Sequence, residues 1–381
     1  MDITMNSNWA FINRSHAHIF RNFVCGLHEL GHKVTVCGLT DIDRAIKSNP
    51  DHQLLLDLYS DKQVYSDYNI WKGLLSDFQK AKGGHKVDAI VHNDGRYVLD
   101  QMMVKQLNKT PYTHLIRSGM DASETISDQL NKPVYCFFDS PIDTSVFDVK
   151  SVEKIDLKLS DKFVFMIVAQ GTYPPSFVMR GIDIAINSYK AAFREDGDTA
   201  LIVKTSGIQE DVVKLINRRK DIQYITKDLP QKVLAQYLKT ADCMLSPIRG
   251  SLWEAPVMEA AAMQTPCIAT DAGGPAMFVV PGATGLLVKY EWAYYAKGAR
   301  KNDLICKYDK VSHLEDKWKE IDVDMFKYAM RSVRFEPTRT KQWGKNAHDH
   351  VTSLFNRKAM AKEFAKFLSG SKDLVFEPQT T

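Results

Sequence analysis

Asp242-Cys-Met-Leu-Ser-Pro-Ile-Arg-Gly-Ser-Leu-Trp-Glu-Ala-Pro-Val-Met-Glu-Ala-Ala-Ala-Met-Gln264 runs into Thr265-Pro-Cys-Ile-Ala-Thr270, then Gly273-Gly274 and Thr284-Gly-Leu-Leu-Val288. The order reads as strand, exposed loop, helix, strand and glycine turn, the signature of a parallel α/β sheet. Pro256 sits in the first turn of the helix, where its missing N–H costs nothing. A helix start beside the carboxyl end of a buried strand offers backbone N–H groups and a positive dipole end to a phosphate. Glu259 lies one turn further in. A carboxylate there would repel phosphate, so it suits the hydroxyls of a diol such as a ribose. Together these features fit a nucleoside diphosphate with a sugar attached.

Outward from this segment the same alternation recurs. Strands are expected at Met1–Met5, Lys33–Cys37, Ala89–Val91, Tyr112–Ile116 and Val134–Phe138, with an amphipathic helix over residues 15–30 that Gly31 stops. A second series follows at Phe163–Val168, Ala200–Lys204, Gln223–Ile225, Cys243–Leu245 and Cys267–Thr270. Residues 139–160 read as a linker. At 381 residues the chain exceeds the usual size of one core. The expected division is 1–147 and 148–349, with a helix at about 350–368 returning to the first domain and a frayed tail at 370–381. Residues 289–342 read as helices plus a surface insertion.

Composition narrows the function classes. Apolar residues make 44% and charged residues 25%, as in ordinary globular proteins. A net charge of +4 is too small for a nucleic-acid binder, and favours acidic partners such as sugar nucleotides or an anionic membrane surface. Six single cysteines show neither metal spacing nor a disulfide framework, which implies a reducing compartment. Met1-Asp-Ile-Thr-Met-Asn6 lacks a signal-peptide pattern, and no apolar run approaches a membrane span. A cytoplasmic protein, at most peripheral to a membrane, is expected. No Gly-x-Gly-x-x-Gly follows a strand, and neither a Walker loop nor a Gly-x-Ser-x-Gly elbow is present.

Several motifs in one order resemble glycosyltransferase family 4, retaining enzymes of the GT-B fold. They are Gly31-His-Lys-Val34, Pro141-Ile-Asp-Thr-Ser-Val-Phe147, Met179-Arg-Gly-Ile-Asp183, Pro256-x-x-Glu259-Ala, Gly273-Gly274 and Gly285-Leu-Leu-Val288. The resemblance implies two Rossmann-like domains whose parallel sheets face a cleft. It implies transfer of a sugar from a nucleotide-diphosphate donor, UDP- or GDP-linked, to a glycan, lipid or small-molecule acceptor. Retention through front-face attack, with no metal and no separate cofactor, is implied as well.

Residue by residue, Arg180 stands at the family's phosphate-binding lysine and Glu259 at its ribose-binding glutamate. Ser251, Leu252 and Trp253 would face the diphosphate and sugar. His92 would end a strand on the catalytic side, and Arg14, Ser15 and His16 are acceptor-side candidates. Base selection is expected near Thr226–Leu229.

The chain departs from the family at four places. Ser251 replaces the usual first glutamate, with Glu254 three residues on; Trp9–Ser15 replaces a double-glycine loop. Arg117 stands where many members have a histidine, and an arginine is missing near Gly171-Thr172.

Each candidate also has a bland reading. Glu254 is either a substitute for the missing sugar contact, with a catalytic role, or a charge on an exposed loop. Trp253 either stacks on a sugar or packs under the loop. Lys204 either reaches a phosphate or snorkels to water. His92 is a ligand-facing or a core histidine; His16 and His18 fit the surface or a cap; Arg180 and Glu259 could be solvated charges. Asp-x-Asp at 41–43, 196–198 and 322–324 matches chance in an acid-rich chain. A catalytically silent GT-B protein that binds nucleotide or glycan beside a partner enzyme is the alternative function.

Overall fold

A computed structural model describes residues 1–6, 15–37, 50–58, 89–92, 115–117, 134–136, 140–159, 161–169, 178–195, 197–208, 210–250, 253–294 and 317–369. The chain divides into two compact units. The first holds Met1–Asp143 and Leu354–Thr381, the second Thr144–Ser353.

The first unit is built on a parallel sheet of β1 (Asp2–Asn6), β2 (Lys33–Cys37), β3 (Ala89–His92), β4 (Leu115–Arg117) and β5 (Val134–Cys136). Their order is β2-β1-β3-β4-β5, so the strand sequence reverses between β1 and β3. Helix α1 (Ser15–Glu29) follows β1, and α2 (Pro50–Leu58) packs on α1. Phe20, Phe23, Val24 and Leu27 line the buried face of α1, as the helical period of the sequence requires.

The second unit carries a six-stranded parallel sheet: β6 (Phe163–Val168), β7 (Thr199–Lys204), β8 (Ile222–Ile225), β9 (Cys243–Ser246), β10 (Cys267–Thr270) and β11 (Gly285–Val288). Its order is β11-β10-β9-β6-β7-β8, the doubly wound Rossmann arrangement, with the reversal between β6 and β9. Helices α3 (Ile182–Ala192), α4 (Glu210–Ile216), α5 (Gln231–Thr240), α6 (Ala255–Ala262) and α7 (Gly273–Phe278) follow the strands in turn. Strands buried on both faces explain the continuous apolar runs Phe163–Val168 and Cys267–Thr270.

Gly285–Val288, read from the sequence as part of a glycine turn, is a strand. A Cβ on Gly285 would lie 2.6 Å from the Cys267 carbonyl oxygen, so glycine is what lets β11 approach β10. Residues 289–342 are not only helices and an insertion. They contain an antiparallel pair, β12 (Glu291–Tyr294) with β13 (Lys317–Glu320), before α8 (Val323–Phe335) and α9 (Pro337–Leu354). The helix expected at about 350–368 is interrupted at Phe355-Asn356. There Asn356 caps α10 (Arg357–Leu368) by accepting from the Ala359 N–H at 2.9 Å.

Helix α10 belongs to the first unit. Phe364 packs on Phe23 with ring centroids 4.8 Å apart, and Gly26 lets the two helices approach, since a Cβ there would meet the Ala361 Cβ at 2.8 Å. Arg357 bonds Asp51 at 3.2 Å, Glu29 at 3.2 Å and Asn22 at 3.0 Å. No described helix is long and apolar enough to cross a membrane.

Candidate donor site

Open α/β sheets bind ligands outside the carboxyl ends of their strands, where the strand order reverses. In the second unit that point lies between β6 and β9. The segment after β6 enters α3 through Val178–Gly181, and the segment after β9 enters α6 through Pro247–Glu254. The two segments are stitched together. The N–H groups of Arg249 and Gly250 donate to the Met179 carbonyl at 2.8 and 3.1 Å. Gly181 has φ +66°, and a Cβ there would sit 1.7 Å from the Pro247 carbonyl oxygen. Glycine is therefore required for both the backbone turn and the approach.

Arg249 fastens the same junction with its side chain. Its guanidinium donates to Asp183 at 2.8 Å, to the Val178 carbonyl at 2.9 Å, and in a fork to Glu320 at 2.8 and 3.0 Å. One buried arginine thus ties the start of α3, the loop after β9 and the end of β13. Nothing in the local sequence singled it out; only a buried arginine's need for partners could have raised the question.

This framework brings two candidate residues together. The Arg180 guanidinium pairs with the Glu254 carboxylate, whose other oxygen accepts from the Ser246 hydroxyl at 3.2 Å. Glu254 is not on an exposed loop, as one reading allowed: its side chain is 3% exposed, against 34% for Arg180. Among the described residues around it, Ile248, Arg249 and Trp253 are also buried. The Thr270 hydroxyl holds it to β10 by donating to the Ile248 carbonyl at 2.9 Å.

Glu254 precedes α6 with φ 55° and ψ 57°, left-handed backbone that a non-glycine residue adopts at a cost of about 1–2 kcal/mol. Such strain is retained where neighbouring contacts dictate it. Here the carboxylate bonds to Arg180 and Ser246 are those contacts.

Trp253 packs under the loop. Its ring lies 5.5 Å from that of Phe278, and Gly274 sits against its carbonyl, where a Cβ would come within 2.0 Å. Glu259 is buried in α6 among Val257, Met258 and Ala260–Met263, one turn from the helix start. Lys204 does not snorkel; it is buried at the end of β7. Thr226–Leu229 form the turn after β8. Asp322 of the third Asp-x-Asp caps α8, accepting from the N–H groups of Asp324 and Met325 at 2.6 and 3.1 Å.

Ser251, Leu252 and Arg14 lie outside the described residues. In the first unit, His92 ends β3 in register with Asn6 of β1, at that sheet's own reversal point, and Ser15-His16 begin α1 after β1. The side chains of His92, Ser15, His16 and Arg117 are outside the description, so only their backbone placement is established.

Residues 164–300 match the family model described as glycosyl transferases group 1. No curated protein sequence matches the chain significantly. Among solved structures, Anabaena HepE in complex with UDP and glucose aligns over 97% of this chain and 100% of its own, with a TM-score of 0.63 and 10% identity. Sucrose-phosphate synthase from Thermosynechococcus elongatus aligns over 97% and 98%, with a TM-score of 0.60 and 14% identity. A glycosyltransferase from Rickettsia africae aligns over 97% of each chain, with a TM-score of 0.59 and 12% identity. The chain has the fold of the GT-B glycosyltransferases, and its residues 164–300 are similar to the group 1 glycosyl transferases.

Proposed function

We propose that the protein transfers a glycosyl group from a UDP- or GDP-linked sugar to a glycan, lipid or small-molecule acceptor, with retention at the anomeric carbon. The observation that carries this reading is the meeting of Arg180 with the start of α6 at the β6–β9 reversal. That arrangement sets a guanidinium and the positive end of the α6 dipole where a diphosphate would lie. HepE, a structural neighbour, binds UDP and glucose.

The chemical problem is the departure of a charged diphosphate. Arg180 and the α6 start stabilise that charge electrostatically, without calling on a metal ion or other cofactor. The leaving phosphate accepts the acceptor's proton, so no protein base is required, and His92 positions or stabilises the sugar. Glu259 accepts hydrogen bonds from the ribose hydroxyls.

Glu254 takes a different part from the one its sequence suggested. Bonded to Arg180, it orients that guanidinium and needs no sugar contact of its own. Ser251, Leu252 and the Trp253 backbone face the diphosphate and sugar. Arg14, Ser15 and His16 face the acceptor, and the protein works in the cytoplasm or at a membrane surface.

The test is nucleotide release from UDP- and GDP-hexoses by the intact chain, compared with Glu259→Ala. Slow hydrolytic release by the intact chain, lost in the variant, supports the enzyme reading. Donor binding without release, across a panel of glycan and lipid acceptors, favours instead a silent GT-B protein that serves a partner enzyme.

A further inference from the structure

Lys204 is the last residue of β7, aligned with Val168 of β6 and Ile225 of β8 at the carboxyl edge of the sheet. Phe163, Phe165, Ile167, Leu201, Val203, Cys243 and Leu245 share one core cluster and therefore one face. Side chains alternate along strands, so Val168, Lys204 and Ser246 belong to the opposite face. The pairing of Met166 with Met244 continues to place Ser246 beside Val168. Lys204 thus shares a face with the serine that bonds Glu254, two strands away, at about 10 Å.

The side chain is poorly served where it lies. Residue 204 is 8% exposed, and among the described residues its ammonium makes one hydrogen bond, to the Thr205 carbonyl at 3.0 Å. It forms no ion pair among those residues. An ammonium has three donors, and burying it with one acceptor is unfavourable unless a ligand completes the shell. Burial pushes this lysine below the usual lysine range, while the charge of Asp228, in the turn after β8, acts the other way.

We propose that Lys204 is a specificity-determining residue that donates to a carbonyl oxygen of the donor's base, selecting uracil or guanine over adenine. This rests on the reading of the β6–β9 reversal as the diphosphate site. With the phosphates at Arg180, the nucleoside extends toward β7 and β8, because the β10 side is filled by Trp253, Phe278 and Gly274. The ribose then carries the base away from the phosphates, toward the carboxyl end of β7. Lys204 as donor and Asp228 as acceptor together match a carbonyl beside a ring N–H. Uracil and guanine both present that edge, whereas adenine has an amino group in the carbonyl's place.

The experiment is calorimetric titration of UDP, GDP, ADP and inorganic pyrophosphate into the full chain and its Lys204→Met variant, with the melting temperature of each free protein. Methionine roughly keeps the length and removes the charge and its hydrogen-bond donors. The expected result is a free variant that melts no lower than the parent, binds UDP or GDP about tenfold or more weakly, and binds pyrophosphate unchanged. ADP binds the parent more weakly than the preferred nucleotide and is unaffected by the substitution.

A lower melting temperature with unchanged UDP and GDP affinity would make Lys204 a structural residue and overturn the proposal. Equal losses for pyrophosphate and nucleotide would assign it to the phosphates, which also overturns it. Failure of the parent to bind any nucleotide would sink the donor-site reading itself, a separable result.

Discussion

Arg180 and Glu254, 74 positions apart in the chain, form an ion pair across the point where the second sheet reverses its strand order. One partner is half-buried; the other is inside and held by Ser246. Glu254 is thereby placed to act through Arg180. A double-mutant cycle separates this from independent action. Arg180→Ala should lower kcat/KM for the donor by roughly thirtyfold, about 2 kcal/mol of transition-state stabilisation. Glu254→Ala should cost less, and the double variant should be no worse than Arg180→Ala alone. Multiplicative losses would show that Glu254 meets the substrate directly.

Gly181 and Gly207 provide a controlled comparison. Both have positive φ, at +66° and +78°, but a Cβ at 181 would meet the Pro247 carbonyl at 1.7 Å while one at 207 would meet nothing within 4 Å. Gly181→Ala should therefore destabilise by about 3 kcal/mol, and Gly207→Ala by only about 1 kcal/mol. Urea unfolding of the two variants measures the difference. Equal losses would mean that Gly181 serves backbone conformation alone.

The regular strands were legible because continuous apolar runs between polar stretches leave few alternatives: Lys33–Cys37, Phe163–Val168 and Cys267–Thr270 occupy the boundaries their sequences suggest. What escaped depends on partners remote in the chain. β12 and β13 alternate charge with aromatics and have no apolar run, so only their mutual pairing reveals them. Glu254 looks like a loop charge until Arg180 and Ser246 are seen beside it. Arg249 shows no motif at all, and its importance lies in contacts 66 and 71 positions away. Glu259, by contrast, was legible as a lone acid in a run of buried alanines and methionines.

Arg249 should matter for stability more than any other charge at the junction. Arg249→Met leaves Asp183 and Glu320 facing a junction without their cation, and both are partly exposed, which limits the penalty. A loss of about 2–3 kcal/mol is expected. Arg249→Lys should recover less than half of it, since an ammonium cannot reproduce the forked contact with Glu320. Chemical denaturation of both variants checks the order; full recovery by lysine would show that charge alone suffices.

The first unit contains a pH-sensitive group. Burial lowers the His52 pKa from 6.5 to about 4; Arg21 pushes the same way and Asp51 opposes. Between those values the unfolded chain binds more protons than the folded one. Stability is therefore full above pH 6.5 and is lost as pH falls toward 4, by about 3 kcal/mol at most for this residue. His52→Gln should flatten that part of the urea-midpoint profile relative to the parent protein. Parallel profiles would show that His52 does not carry the effect.

The most direct test of the account is calorimetric titration of UDP and GDP into the intact chain and into Glu259→Gln. The β6–β9 reversal, with Arg180 in the segment after β6 and Glu259 a helical turn inside α6, predicts saturable one-to-one binding of at least one nucleotide. In the variant that affinity should fall roughly tenfold, as a ribose-facing carboxylate is lost. Absence of binding to either nucleotide, or identical affinity in the variant, would contradict the placement of a nucleotide-sugar donor in the second unit.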